Sequence, residues 1–174
     1  MGNELKSSEI VKSAIQIEKN GRDFYGQAAK AVKAEKAKRI FEFLSNEEQL
    51  HIAVFEDILK NLDANEPAER YPGEYADYML ALSEASVFTQ NKQGYEAARG
   101  IRNDKQALEL AIGFEKDSIL FYYEMKRFVW EGFRKDVDKL IAQEQEHLRK
   151  ISEVLKGFSK FGVGNQADPS RRPR

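Results

Sequence analysis

The tetrapeptides Glu48-Gln49-Leu50-His51 and Glu144-Gln145-Glu146-His147 contain both histidines of the chain, each three residues after a glutamate. Residues three apart on an α-helix are offset by about 60° around the axis and about 4.5 Å along it, so the carboxylate and imidazole project toward one point. Two copies point to a dinuclear metal site. Spacing alone is weak, because shuffling this composition puts both histidines behind a glutamate in roughly one chain in seventy-five, and a lone Glu-x-x-His is more often a surface pair. The flanking sequence therefore has to carry the reading.

Both tetrapeptides lie in segments of helical periodicity. Ile10, Val11, Ala14, Ile17, Gly21, Tyr25, Ala28 and Val32 recur at spacings of three and four and predict a helix over about residues 8–33. Phe41, Leu44, Ile52, Phe55, Ile58 and Leu59 predict a second over about 36–61, although neither Gly nor Pro marks the turn near Ala34. Pro67 and Pro72 break the pattern, and Tyr75 to Phe88 is expected to form a short helix within a long connection ending near Asn103. Leu108, Ala111, Ile112, Ile119 and Tyr122 predict a third main helix over about 104–130, capped by Asn103 or Asp104, and Gly132 turns the chain. Val137, Leu140, Ile141, Leu148, Ile151 and Leu155 predict the last over about 134–156. Two helical hairpins joined by a long crossover make a four-helix bundle. Residues 1–157 are read as one domain, and residues 158–174, with Gly162, Gly164, Pro169 and three arginines but no apolar period, as a mobile tail.

An internal repeat relates the halves. Ile17-Glu18-Lys19 with Phe24-Tyr25 matches Phe114-Glu115-Lys116 with Phe121-Tyr122, and Glu18 precedes Glu48 by 30 residues as Glu115 precedes Glu144 by 29. Each half thus reads as a lone-Glu helix followed by a Glu-x-x-His helix. All four glutamates fall among core-facing residues: Glu18 near Val11, Ala14, Ile15 and Tyr25, Glu48 near Leu44, Ile52 and Phe55, Glu115 near Leu108, Ala111 and Ile119, and Glu144 near Leu140, Ile141 and Leu148. An unpaired buried carboxylate costs several kcal/mol or shifts its pKa until it is neutral. Two divalent cations would balance the four carboxylates, with His51 and His147 binding as neutral imidazoles. Tyr25, Tyr122, Tyr123 and Trp130 are read as core or interface aromatics, with Tyr25 and Tyr122 near enough to a ligand to orient it by hydrogen bonding.

Composition narrows the chemistry. The chain of 174 residues has 28 basic and 29 acidic residues and no long basic block, which removes an electrostatic case for nucleic acid or anionic membrane. Cysteine is absent, so any metal is held by oxygen and imidazole nitrogen. No run approaches the about 18 apolar residues that span a bilayer, and Lys6 replaces the Ser or Thr of a myristoylation motif, so a cytoplasmic location is expected.

Glu18, Glu48, His51, Glu115, Glu144 and His147 form the pattern of ferritin-like di-iron carboxylate bundles, and the chain resembles a rubrerythrin-type member over about residues 8–157. The resemblance implies an all-α ferritin-like four-helix bundle, those six residues as ligands of two iron ions cycling between Fe2+ and Fe3+, and reduction of hydrogen peroxide to water in oxidative-stress defence by a homodimer. Ferroxidation, with Fe(II) as substrate and dioxygen as oxidant, uses the same ligands. A non-catalytic module holding Mn or Zn is a further alternative. Two departures limit the transfer. Full-length rubrerythrins carry a cysteine-bound rubredoxin iron, which a chain without cysteine lacks, so electrons are expected from a separate donor such as a rubredoxin-like protein. Where those proteins carry an additional glutamate this chain has Ser118, so a seventh carboxylate and its associated iron movement are not carried over.

Overall fold

Five α-helices are described in the computed structural model: α1 (Ser7–Ala31), α2 (Glu35–Asn65), α3 (Gln93–Arg99), α4 (Asp104–Met125) and α5 (Arg134–Phe161), with a 3₁₀ turn at Glu131–Phe133. The residues described are 6–65, 77–79, 81–82, 93–127, 129 and 131–161. Helices α1 and α2 form one hairpin, α4 and α5 the other, and the hairpins meet through α1 against α4 and α2 against α5. Among the described residues there is no strand. The fold is the expected all-α bundle of two hairpins with a long crossover.

The turn between α1 and α2, unmarked by Gly or Pro, is held from a distance. Asp104 Oδ1 and Oδ2 accept the backbone N–H groups of Lys33 and Ala34 at 2.9 and 2.6 Å. Its neighbour Asn103 is the N-cap of α4 and accepts from the Gln106 N–H at 2.9 Å. Adjacent polar residues thus divide two tasks, one capping its own helix and the other fastening the opposite hairpin.

Several boundaries differ from the sequence reading, and α2 runs on to Asn65 where an end near 61 is expected. α4 stops at Met125, short of 130, and the chain turns so that Val129 is buried. Conversely, α5 continues past Gly157 to Phe161, because Phe158 extends the stripe of Leu148, Ile151 and Leu155 and packs against the core. Helix now enters the segment read as tail, and residues 162–174 lie outside the described residues. Within the crossover, residues 77–79 and 81–82 are helical as expected, the rest of the Tyr75 to Phe88 segment lies outside the described residues, and α3 was not anticipated.

Helix α3 sits on α1 at very close range. A Cβ placed on Gly94 would lie 2.1 Å from the Asn20 carbonyl oxygen, so only glycine fits there. Gly94→Ala is expected to lower stability by about 1–2 kcal/mol, overpacking outweighing the better helix propensity of alanine. Thermal melting checks this, and an unchanged or raised Tm would mean that α3 does not dock so tightly. Gly21 serves the main bundle similarly, since a Cβ there would lie 2.4 Å from the Phe114 ring.

Candidate metal centre

The apolar stripes of α1, α2, α4 and α5 converge on six polar side chains. Glu18, Glu48, Glu115 and Glu144 are 0% exposed, and His51 and His147 are 1% exposed. The tertiary fold thus brings together every residue expected at the site. The two imidazoles stack, with ring centroids 5.5 Å apart and planes inclined by 18°. His51 Nδ1 lies 2.8 Å from Glu144 Oε1, 3.3 Å from Glu48 Oε2 and 3.5 Å from Glu18 Oε1. His147 Nδ1 lies 3.1 Å from Glu144 Oε2 and 3.9 Å from Glu115 Oε2. Each imidazole therefore turns its Nδ1 inward.

Two groups of four have ligand atoms close enough to hold one metal ion each: Glu18, Glu48, His51 and Glu144, and Glu48, Glu115, Glu144 and His147. Glu48 and Glu144, the carboxylates of the two Glu-x-x-His motifs, belong to both groups. Glu18 and Glu115 belong to one each. Within each group the ligand atoms lie within 4.8 Å of one another. The donor chemistry and the hydrogen bonding both fit hard or borderline divalent cations. Glu18 Oε2, both Glu48 oxygens and Glu115 Oε2 are buried acceptors to which no group among the described residues donates a hydrogen bond. Buried acceptors are seldom left so, and a cation between them satisfies them together.

Burial and mutual charge shift the protonation of the cluster in opposite directions. Burial raises the Glu48 carboxyl well above the ordinary carboxylate range, and the charges of Glu18 and Glu144 push it further. Glu115 is raised likewise, by burial first and then by Glu144. Glu144 moves the opposite way: burial opposes its ionisation, but hydrogen bonds with His147 and His51 outweigh this and hold it below the usual range. At His51, burial works against the imidazolium, yet the charge of Glu18 and the close carboxylate oxygens of Glu144 and Glu48 raise its pKa far above that of ordinary histidine.

Two tyrosines fasten the lone glutamates, but not those of their own helices. The Tyr25 hydroxyl donates to Glu115 Oε1, and the Tyr122 hydroxyl donates to Glu18 Oε1 at 2.5 Å. Each bond crosses from one hairpin to the other. Burial, then the charge of the bonded glutamate, raises both phenols well above their ordinary range, which keeps them protonated donors. Tyr123, read as a core or interface aromatic, is 48% exposed and accepts a hydrogen bond from Gln145 Nε2 at 3.2 Å. Trp130 lies outside the described residues.

Two residues at the site had no assigned role from sequence. Glu47 Oε2 lies 3.7 Å from the outward Nε2 of His147, and its only sequence signal is that it immediately precedes Glu48. Ser118 is buried one helical turn after Glu115 on the core face of α4, and its hydroxyl has no hydrogen-bond partner among the described residues.

A bundle of two helical hairpins that buries paired carboxylates and histidines defines a ferritin-like diiron-carboxylate fold. A crystal structure described as that of a ferritin-like diiron-carboxylate protein from Thermotoga maritima superimposes with a TM-score of 0.66 at 27% identity, covering 90% of this chain and 98% of that one. The Rubrerythrin family model matches residues 9–155, and the chain belongs to the rubrerythrin family. A search of curated proteins gives no match. Among the described residues, no helix is long and apolar enough to cross a membrane.

Proposed function

We propose that the chain is a non-haem di-iron oxidoreductase that reduces hydrogen peroxide to water, with electrons delivered by a separate donor such as a rubredoxin-like protein. The observation that carries the reading is the buried six-residue cluster in which Glu48 and Glu144 are shared between two four-residue groups. Glu18, Glu48 and Glu144 with His51 would hold one iron, and Glu48, Glu115 and Glu144 with His147 the other.

When bound, two iron ions supply two one-electron changes, matching the two electrons that cleave the O–O bond. The overall reaction consumes one peroxide, two electrons and two protons and yields two waters. The protein contributes position and exclusion of solvent. Tyr25 and Tyr122 hold Glu115 and Glu18 in register across the hairpins. Phe24, Phe41, Phe55, Phe114 and Phe121 are almost fully buried in the same core, which keeps bulk water from the reacting atoms.

Metal content by elemental analysis of the protein from its native host, followed by stopped-flow oxidation of the anaerobically reduced protein, tests the proposal. Iron at two per chain and faster oxidation by peroxide than by dioxygen are expected. The reverse order of rates would replace the peroxidase reading with ferroxidation, and Mn or Zn without redox turnover would replace it with a non-catalytic metal module. Native mass separates the expected homodimer from the hollow shell that mineral storage needs.

A further inference from the structure

The internal repeat makes the two halves of the centre look alike, yet their outer edges differ. On one side, His147 Nε2 faces Glu47 Oε2 at 3.7 Å, and the Phe43 ring stands edge-on to the imidazole at 5.9 Å and 89°. Lys150 Nζ covers the same Phe43 ring at 4.2 Å from its centroid. On the other side, His51 Nε2 is buried without a hydrogen-bond partner among the described residues. The repeat that maps Glu48 onto Glu144 maps Glu47 onto Gln143, and Phe43 onto Lys139. At the repeat position equivalent to the carboxylate behind one imidazole, the other half therefore carries the uncharged Gln143.

We infer that Glu47 is a positioning residue that makes the two metal positions inequivalent, by drawing the Nε2–H of His147 outward and so fixing Nδ1 as the inward ligand atom. A carboxylate behind a metal-bound imidazole fixes its tautomer and raises its basicity. The gap exceeds a hydrogen bond by about half an ångström, and the Glu47 side chain is 24% exposed. Glu47 thereby links the buried cluster to the protein surface. The inference rests on the two-metal reading above and adds an order to it: the position served by His147 binds a divalent cation more tightly than that served by His51.

The test is a titration of the metal-free full chain with Co(II), followed by calorimetry and visible absorption, which needs no turnover. Two binding steps differing by about tenfold or more are expected for the native chain, within the range that such supporting partners contribute. Glu47→Leu is expected to weaken the tighter step about tenfold and leave the weaker within about twofold, whereas Glu47→Gln, whose amide oxygen accepts the same N–H, stays within about threefold of the native affinity. Gln143→Glu should tighten the weaker step by about threefold or more. Two equal native steps, or a Glu47→Leu protein with both steps unchanged, would overturn the inference. A native chain that binds fewer than two Co(II) would overturn the two-metal reading itself.

Discussion

Removing metal is expected to lower the melting temperature by about 10 °C or more at neutral pH, and by more as the pH rises. A ligand at a thousand times its Kd stabilises the native state by about 4 kcal/mol, and each kcal/mol is worth about 2–4 °C for a chain of this size. The pH dependence follows from the direction of each shift. Glu48 and Glu115 have raised pKa values in the folded, metal-free protein, so the native state holds protons that the unfolded chain has released above the normal carboxylate range. Stability from these groups is complete below about pH 4.5 and declines as pH rises toward their folded values. His51 is also raised, so its contribution is complete below about pH 6.5 and falls above it. The lowered Glu144 acts only in the acid range, contributing above its unfolded pKa and losing that contribution as pH falls through the folded one. Metal needs the deprotonated ligands, so its binding releases protons and tightens with pH while the metal-free protein weakens. Calorimetric scans at pH 6 and pH 8, with and without chelator, check both trends. Equal melting temperatures for the two forms would remove metal from the account of stability.

Replacing a shared carboxylate is expected to cost far more metal than replacing an unshared one. Glu144 contacts both histidines through its two oxygens, at 2.8 Å to His51 and 3.1 Å to His147. Glu18 belongs to one group only. Glu144→Gln should therefore abolish stoichiometric binding of both ions and reduce turnover of the proposed peroxide reduction by at least about a hundredfold, since loss of both ions removes the electron-transferring centre. Glu18→Gln should leave one ion bound per chain, while still reducing turnover because both electrons are needed. Metal-to-protein ratios after dialysis distinguish the two. If both variants retain the same ratio, Glu144 does not serve both metal positions.

Neither expectation about sharing was available from the two tetrapeptides. Their three-residue spacing places carboxylate and imidazole on one helical face, and the repeat extends this to six residues in two equivalent halves. These are local relations, written in the period of the helix. The same period exposed the four main helices, because a stripe of apolar residues has to face a core wherever the helix lies. It misjudged the ends, where the decisive contacts come from elsewhere: Phe158 finds the core beyond a glycine, and the unmarked turn after Val32 is fastened by Asp104 from 70 residues away. It also left α3 undetected, since seven residues docked through a glycine carry little periodic signal of their own.

By itself the sequence determined the bundle, the six polar residues that enter its core and their approximate twofold arrangement, because helix periodicity and repetition are properties of one strand of chain. Packing of the helices sets which carboxylates fall in both four-residue groups, takes each tyrosine to the opposite hairpin, and puts Glu47 behind His147 where the repeat offers His51 only Gln143. Those relations depend on the rotation and separation of packed helices, which side-chain volumes throughout the core set together and no local spacing encodes.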